Sequence, residues 1–307
     1  MKNQRKQSSF ENFFNQPTPA KTAGLGFVLA IGVPQLLAVV VTIVLLACNV
    51  MPTGEEKPDW YLYLSYTLTP VAFALALVCV WRNAKEPMKL MLNAKPCHWK
   101  YYVLALLLQF GLFSLATLNT YFLQFLGRFG YQDTPIELPS MDGLGLVGIL
   151  VVVAVLPAIF EELIFRGVLL RGLKSFGTVG AVLLCGGLFS LYHQNPAQTI
   201  YQFCCGMAFA LMALRAGSVF PTILSHFANN AAIILLTKFG VVNLPIWLII
   251  LCAVCLLATL AYLIFVEKNN EKSGDKQEQK YFFLMALAGI FICAINWLAE
   301  IFQGFGG

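Results

Sequence analysis

Nine long apolar stretches, separated by short polar segments, dominate the hydropathy pattern of this chain. Their predicted limits are residues 24–50, 60–81, 101–126, 143–172, 178–194, 199–215, 219–237, 243–266 and 281–303. Most of these stretches have about the length, roughly 17–25 residues, that an α-helix needs to cross the hydrocarbon core of a bilayer. The pattern therefore predicts an all-α fold, a polytopic transmembrane helix bundle of eight to nine spans.

The polar segments divide the chain in a simple way. Residues 1–23 are predicted to form a polar N-terminal segment, and residues 24–303 a single transmembrane domain. The charged tract 267–280 is predicted to be a solvated loop between the last two spans. No internal repeat is visible along the chain.

Composition and charge agree with a membrane protein. Hydrophobic residues make up 59% of the chain and charged residues only 11%, well below the roughly one quarter that is typical of soluble domains. Sixteen of the twenty lysines and arginines fall on the side of the N-terminus, and only Lys57, Arg128 and Lys238 fall in loops on the other side. This bias predicts a multi-pass protein with a cytoplasmic N-terminus, and it explains the net charge of +5 without a nucleic-acid partner.

Three charges lie within the fourth apolar stretch. Glu161, Glu162 and Arg166 occupy less than two helical turns there, and each such charge costs about 2.5–3.5 kcal/mol at a bilayer centre on insertion scales. Glu162 and Arg166 are four residues apart and can pair, whereas Glu161 points about 100° away from that partner. Pro157 has no N–H and leaves the carbonyl of Val153 without its helical donor. Ionisable groups at such a depth indicate a functional site.

Polar residues in two further spans are expected to lie at a similar depth. With a rise of about 1.5 Å per residue, Glu161 lies roughly 20 Å from its basic loop, His193 roughly 22 Å, His226 roughly 14 Å and Asn230 roughly 20 Å. The sequence therefore predicts a buried polar cluster. Asn229, which lies in the same span as His226 and Asn230, also belongs to it. The linker "HQNPAQ" is expected to be buried in protein or to line a wet cavity, because irregular polar backbone is tolerated at that depth only in such places. A cavity beside His193 would admit the water that hydrolysis requires.

Three motifs in these spans resemble a known family. "EELIFR", "FSLYH" and "HFANN" follow one another in this order within residues 143–237, which are predicted to be the catalytic core helices. Together they resemble the motifs of the CPBP family, the CAAX-protease and bacteriocin-processing membrane proteins that are also called the Abi family. The resemblance implies an intramembrane endopeptidase of the glutamate type.

The resemblance also implies a role for each matching residue. Glu161 and His193 would activate a water molecule, and His226 and Asn230 would stabilise the oxyanion that forms when this water attacks a peptide carbonyl. Glu162 and Arg166 would organise the site. Phe189, one turn before His193, is expected to pack beside the site or to line the substrate path.

A metal-dependent variant of this chemistry is the second choice. Glu161, His193 and His226 would supply two imidazoles and one carboxylate for zinc, with one open position. No H-E-x-x-H helix is present, so the sequence favours a reaction without a cofactor.

The expected partners are the lipid bilayer and a peptide or membrane-protein substrate. Prenylated CAAX cleavage is the eukaryotic role of the family. The short linkers and basic loops favour a bacterial cytoplasmic membrane, where peptide maturation or bacteriocin self-immunity is expected. Two other functions fit a buried polar cluster: a proton-coupled transporter, disfavoured because no repeat is visible, and a non-catalytic immunity or scaffold protein.

Overall fold

Nine apolar helices form the described part of the chain, which comprises residues 16–54, 56–133, 136–241, 243–267, 270–271 and 274–306 of a computed structural model. The helices are α1 Pro19–Ala47, α2 Asp59–Ala84, α3 Lys100–Gly127, α4 Leu144–Leu173, α5 Gly177–Tyr192, α6 Thr199–Ala216, α7 Phe220–Lys238, α8 Ile246–Val266 and α9 Lys276–Gly306. Within these ranges there is no strand. Eight of the helical segments are long and apolar enough to cross a membrane, and α5, with 16 residues, is shorter. The prediction of an all-α polytopic bundle is confirmed, and the chain is a multi-pass integral membrane protein.

The largest differences from the sequence-based helix boundaries are at the starts of two helices. Helix α1 begins at Pro19 rather than near residue 24, because the hydroxyl of Thr18 accepts a hydrogen bond from the backbone N–H of Lys21 and Pro19 fits the first helical turn. Helix α9 begins at Lys276, inside the tract that was expected to be a loop up to residue 280, after Asp275 has accepted a hydrogen bond from the backbone N–H of Gln277. Residues 1–15 of the predicted N-terminal segment lie outside the described residues.

The packing of the helices brings α4 to α7 together. Helix α4 contacts α1, α2, α5 and α7, while α6 contacts α3, α5 and α7. Helix α1 also packs against α2 and α9, and α3 against α7 and α8. Helices α5 and α6 approach closely where Gly186 faces Gly206, since a Cβ atom on Gly206 would lie 2.8 Å from the Cα atom of Gly186. The segments that carry the predicted site residues are therefore mutual neighbours.

One end of the bundle is tied together by charges, and we call it the charged end. Three ion pairs join the connections between helices there: Lys100–Glu267, Arg171–Glu86 and Lys174–Glu271. In addition, Arg215 at the end of α6 donates hydrogen bonds to the carbonyl of Leu263 and to the side chain of Asn270. These contacts fix the ends of α2, α4, α6 and α8 against one another.

Helix α4 is not a regular α-helix along its whole length. Two π-helical stretches, Leu150–Val155 and Leu163–Leu169, flank the α-helical segment Leu156–Glu162. Wider turns of this kind often occur at functional sites and where a proline interrupts the hydrogen bonds of a helix. Pro157 and the two adjacent glutamates thus lie in the short α-helical segment between the two irregular stretches.

Candidate active site

A fully buried ion pair lies at the centre of the site. The Nη1 atom of Arg166 is 2.7 Å from Oε1 of Glu162, and both side chains have no exposed surface. The i, i+4 pair that the sequence predicted is therefore present. A second guanidinium nitrogen, Nη2, donates to the carbonyl of Gly206 at 3.3 Å, which it can reach because α5 and α6 pack closely at their glycines.

Aromatic rings enclose the guanidinium of Arg166. Its carbon Cζ lies 4.2 Å from the ring centre of Phe189, 5.3 Å from that of Phe209 and 6.0 Å from that of Phe165. A cation over an aromatic face is stabilised by the ring quadrupole, and more strongly where water is excluded. The rings and Glu162 together compensate a charge that would otherwise be very costly inside a membrane.

His226 of α7 lies between the two glutamates. Its Nδ1 atom is 3.0 Å from Oε1 of Glu162, and its Nε2 atom is 3.9 Å from Oε2 of Glu161. Since the Glu162 carboxylate is paired with Arg166, it can only accept a hydrogen bond, so the Nδ1 atom of His226 carries the hydrogen. Glu162 thereby orients the imidazole with its other nitrogen towards Glu161.

Glu161 is the carboxylate of the cluster that has the fewest partners. Its residue is only 8% exposed, yet its Oε2 atom makes no hydrogen bond within the described part of the protein. The distance from this oxygen to Nε2 of His226 is too long for a direct hydrogen bond, but one water molecule could bridge the two atoms. Buried polar groups are usually paired, so this oxygen is a good candidate for contact with water or with a substrate.

Two ionisable groups of the cluster lie outside its ion pair. Glu162 and Arg166 neutralise each other, which leaves one carboxylate and one imidazole, Glu161 and His226, as neighbours. Carboxylates and imidazoles are the side chains that commonly serve in general acid–base catalysis.

His193 caps the C-terminal end of α5, and one of its ring nitrogens is hydrogen-bonded to the backbone. Its Nδ1 atom is 2.8 Å from the carbonyl oxygen of Phe189. Because a carbonyl can only accept, Nδ1 donates, and in the neutral ring Nε2 is left as a proton acceptor. No hydrogen bond joins His193 to Glu161 among the described residues.

Phe189 connects the two histidines. Its ring centre lies 4.8 Å from that of His193 and 5.9 Å from that of His226, and both contacts are edge-to-face. The residue is 1% exposed. The structure therefore brings His193, His226 and Glu161 into one region through these contacts, with the aromatic ring between the two imidazoles.

Asn230 is anchored to α4. Its Nδ2 atom donates to the carbonyl oxygen of Val153 at 3.1 Å, and its Oδ1 atom accepts a hydrogen bond from Asn229. The Val153 carbonyl is the one expected to lack a helical donor because of Pro157. One of the two amide hydrogens of Asn230 is thus used by the fold, and the other remains available for the site.

Two polar residues outside the predicted cluster, Tyr201 and Gln109, lie beside its member Asn229. The three side chains are hydrogen-bonded to one another in the interior between α3, α6 and α7. The signal for Gln109 was present, since it is a lone amide in the apolar run "YYVLALLLQFGLF", and polar groups in such runs commonly bind other helices. What the sequence did not reveal is which helix it faces.

The candidate zinc ligands are not arranged as a metal site. Among the residues that the structure describes, no group of three or more His, Cys, Asp or Glu side chains is positioned to hold a metal ion. Of the predicted set, Glu161 and His226 are neighbours. The ring of His193 instead packs against the ring of Phe189.

Residues 143–232 match the family model described as type II CAAX prenyl endopeptidase Rce1-like. The matched segment is thus similar to CAAX proteases. This confirms the resemblance that was inferred from the three motifs. The matched segment runs from the start of α4 into α7 and contains all the predicted site residues, whereas Gln109 lies outside it. No curated protein and no solved structure matches the chain.

Proposed function

We propose that this protein is a CAAX-type intramembrane endopeptidase in which the carboxylate of Glu161 activates the attacking water. The observation that carries the proposal is the buried Oε2 atom of Glu161, which makes no hydrogen bond to any described residue and lies 3.9 Å from an imidazole nitrogen that Glu162 orients. A buried carboxylate beside an imidazole is suited to act first as a general base and then as a general acid. The family of the matched segment supports the same reaction class.

The proposed reaction begins with a water molecule bound between Glu161 and the free Nε2 atom of His193. Glu161 takes one proton from this water while the oxygen attacks the peptide carbonyl. The amide of Asn230 and the protonated ring of His226 donate hydrogen bonds to the oxyanion that develops. Glu161 then delivers the proton to the leaving amine as the carbon–nitrogen bond breaks. The products are a carboxylic acid and a free amine.

Glu162 and Arg166 act indirectly in this scheme. Neither side chain has exposed surface, so neither is expected to contact the substrate. Glu162 sets the orientation of His226, and Arg166 keeps Glu162 ionised so that it can accept the imidazole hydrogen.

We also propose that the reaction proceeds without a metal ion. In support, Glu161, His193 and His226 are not grouped as metal ligands in the described part of the chain. The test is dialysis of the purified protein against a chelator. Full activity afterwards is expected, while loss of activity that zinc restores would contradict the proposal.

The proposed substrate is a membrane-associated or hydrophobic peptide, since Glu161 lies on a membrane-crossing helix. We further propose a bacterial cytoplasmic membrane, with the charged end of the bundle and the N-terminus facing the cytoplasm, in line with the excess of basic residues on that side. Peptide maturation and bacteriocin self-immunity are the two physiological roles that fit such a substrate.

The decisive experiment compares wild-type protein with Glu161→Gln in lipid nanodiscs. Two versions of one peptide ending in a CAAX sequence, one prenylated and one not, are incubated with each protein, and mass spectrometry detects the cleavage products. In parallel, the membrane peptides of cells producing each protein are compared. We expect products and processed peptides with wild type only. Glu86→Gln, which removes a carboxylate at the charged end, serves as the matched control and should cleave normally.

Normal cleavage by Glu161→Gln would overturn the proposal. Uptake of a solute into proteoliposomes that depends on Glu161, without any peptide hydrolysis, would favour a transporter instead. Full protection of cells by Glu161→Gln in an immunity assay would indicate a non-catalytic role.

A further inference from the structure

We propose that Gln109, Tyr201 and Asn229 form a hydrogen-bond relay that positions the Asn230 amide, so that this side chain presents a donor rather than an acceptor to the reaction. The inference rests on the proposed function, because it concerns how the oxyanion-binding group of that reaction is oriented. The three residues are positioning residues, since none of them is placed to touch the substrate.

The relay is continuous over four side chains from three helices. Gln109 of α3 donates from Nε2 to Oδ1 of Asn229 at 2.9 Å, and the hydroxyl of Tyr201 of α6 donates to the same oxygen at 2.8 Å. Asn229 then donates from Nδ2 to Oδ1 of Asn230 at 3.0 Å. Asn230 finally donates from Nδ2 to the carbonyl oxygen of Val153 at 3.1 Å. Every amide in the row therefore points its nitrogen in the same direction.

The last acceptor fixes the direction of the whole row. A backbone carbonyl can only accept, so the nitrogen of Asn230 must face Val153 and its oxygen must face Asn229. Pro157, which occupies the position of the α-helical donor to that carbonyl, has no N–H and leaves the acceptor free for Asn230. The proline in α4 and the amide row in the neighbouring helices are thus parts of one arrangement.

Burial makes reversal of any single amide costly. Gln109 is 1% exposed, Asn229 is 3% exposed and Tyr201 is 9% exposed. If Asn229 reversed, its oxygen would face the oxygen of Asn230 and its nitrogen would face the two donors of Gln109 and Tyr201. The Oε1 atom of Gln109 has no hydrogen-bond partner in the described part of the chain, so its Nε2 atom determines how this amide is oriented, through the bond to Asn229 and a longer one, 3.4 Å, to the Tyr201 hydroxyl.

The relay has a consequence for catalysis at Asn230. With its oxygen held by Asn229 and one amide hydrogen held by Val153, the side chain can offer only its second amide hydrogen to a ligand. A donor held in advance at the place where negative charge develops stabilises a transition state more than a mobile one does. Without Asn229, only the hydrogen bond to the Val153 carbonyl holds the amide of Asn230, and its oxygen loses the donor that fixes it.

The test is a double-mutant cycle on Asn229 and Asn230, with kcat and KM measured for a cleaved peptide. We expect Asn230→Ala to lower kcat by about 10²- to 10³-fold, the range for loss of one oxyanion donor. Asn229→Ala should lower kcat by about 10- to 100-fold, as for other groups that orient an acting residue, with little change in KM. In the Asn230→Ala background, Asn229→Ala should have almost no further effect on kcat, because it acts through Asn230.

Two outcomes would overturn the relay: equal fold losses from Asn229→Ala in both backgrounds, or a change confined to KM. Glu161→Gln is assayed alongside to separate this inference from the proposed function. If Glu161→Gln is inactive while the cycle is additive, only the relay fails. If Glu161→Gln cleaves normally, the proposed function fails first.

Gln109 allows a second, independent measurement. Gln109→Leu removes one of the two donors to Asn229, and we expect kcat to fall less than with Asn229→Ala. Gln124→Leu is the matched control, because it makes the same change at an exposed position of the same helix. Thermal unfolding of each variant is recorded, and a kcat unchanged from wild type in a folded Gln109→Leu protein would contradict a role for α3.

Discussion

Replacing Glu162 by glutamine leaves the guanidinium of Arg166 buried without its counter-charge. In the native protein Glu162 accepts two hydrogen bonds from groups that are or can be charged, at 2.7 Å from Arg166 and 3.0 Å from His226. Hydrogen bonds to charged groups contribute about 1.5–3 kcal/mol each, and breaking a buried pair by removing one partner costs about 3–5 kcal/mol. The two figures agree, so we expect Glu162→Gln to lower the free energy of unfolding by about 3–5 kcal/mol.

Removing both charges should cost less than removing one. In the double variant Glu162→Gln with Arg166→Met, no uncompensated ion remains in the interior, and buried pairs replaced by neutral groups of similar volume are often tolerated. We therefore expect the double variant to be more stable than the sum of the two single effects indicates, with an interaction energy of a few kcal/mol. Glu86→Gln is the control, because the Glu86–Arg171 pair is partly exposed, at 23% and 30%, and such pairs contribute only about 0–1 kcal/mol.

Thermal unfolding in detergent, followed with a thiol-reactive dye, measures these differences. Cys185, Cys205, Cys252 and Cys293 are at most 1% exposed, so they react only when the bundle opens. Additive losses in the double variant, or a melting temperature for Glu162→Gln equal to that of Glu86→Gln, would refute the electrostatic argument.

Two further predictions concern the packing and the charged end. Gly206→Ala should destabilise the bundle by about 1–3 kcal/mol, because the new Cβ would lie 2.8 Å from the backbone of Gly186; Gly32→Ala, with nothing within 4 Å of its Cβ, is the matched control, and equal melting temperatures would contradict the prediction. The hydrogen bond from Lys100 lowers the pKa of Glu267 below its ordinary value. The ionised Glu267 side chain therefore stabilises the fold at pH values above the ordinary pKa of a glutamate. This stabilisation is lost as the pH falls through the lowered pKa of the folded protein. Melting temperatures recorded across the acidic range should therefore fall with decreasing pH, slightly less so in Glu267→Gln; an identical acid dependence in the variant would contradict this assignment.

The local pattern of the chain was sufficient to predict the helices, but some of their ends depended on single capping residues. Long apolar runs can satisfy their backbone hydrogen bonds inside a bilayer only as helices, which is why the spans could be read directly. The start of α1 at Pro19 and of α9 at Lys276 was missed, because Thr18 and Asp275 begin helices within segments of polar composition. A hydropathy profile averages over several neighbouring residues, so it does not detect the effect of a single capping residue.

The candidate site was only partly predictable for a different reason. The i, i+4 spacing of Glu162 and Arg166 is a property of one helix, and their pair was foreseen. The partner of His226 was not, because the rotation of α7 relative to α4 decides whether Glu161 or Glu162 lies within hydrogen-bond distance of its Nδ1 atom. The sequence places both glutamates next to each other and cannot distinguish between them.

By itself the sequence determined which side chains had to be buried at a cost, namely carboxylates, imidazoles and amides inside apolar runs, and it paired Glu162 with Arg166 of the same helix. Only the tertiary structure decided the pairing between helices. Glu162 binds His226, Asn230 binds the Val153 carbonyl, and Oε2 of Glu161 makes no hydrogen bond among the described residues. The physical reason is that hydrogen bonds act over about 3 Å, so the pairing depends on the rotation and depth of whole helices, which local periodicity does not specify.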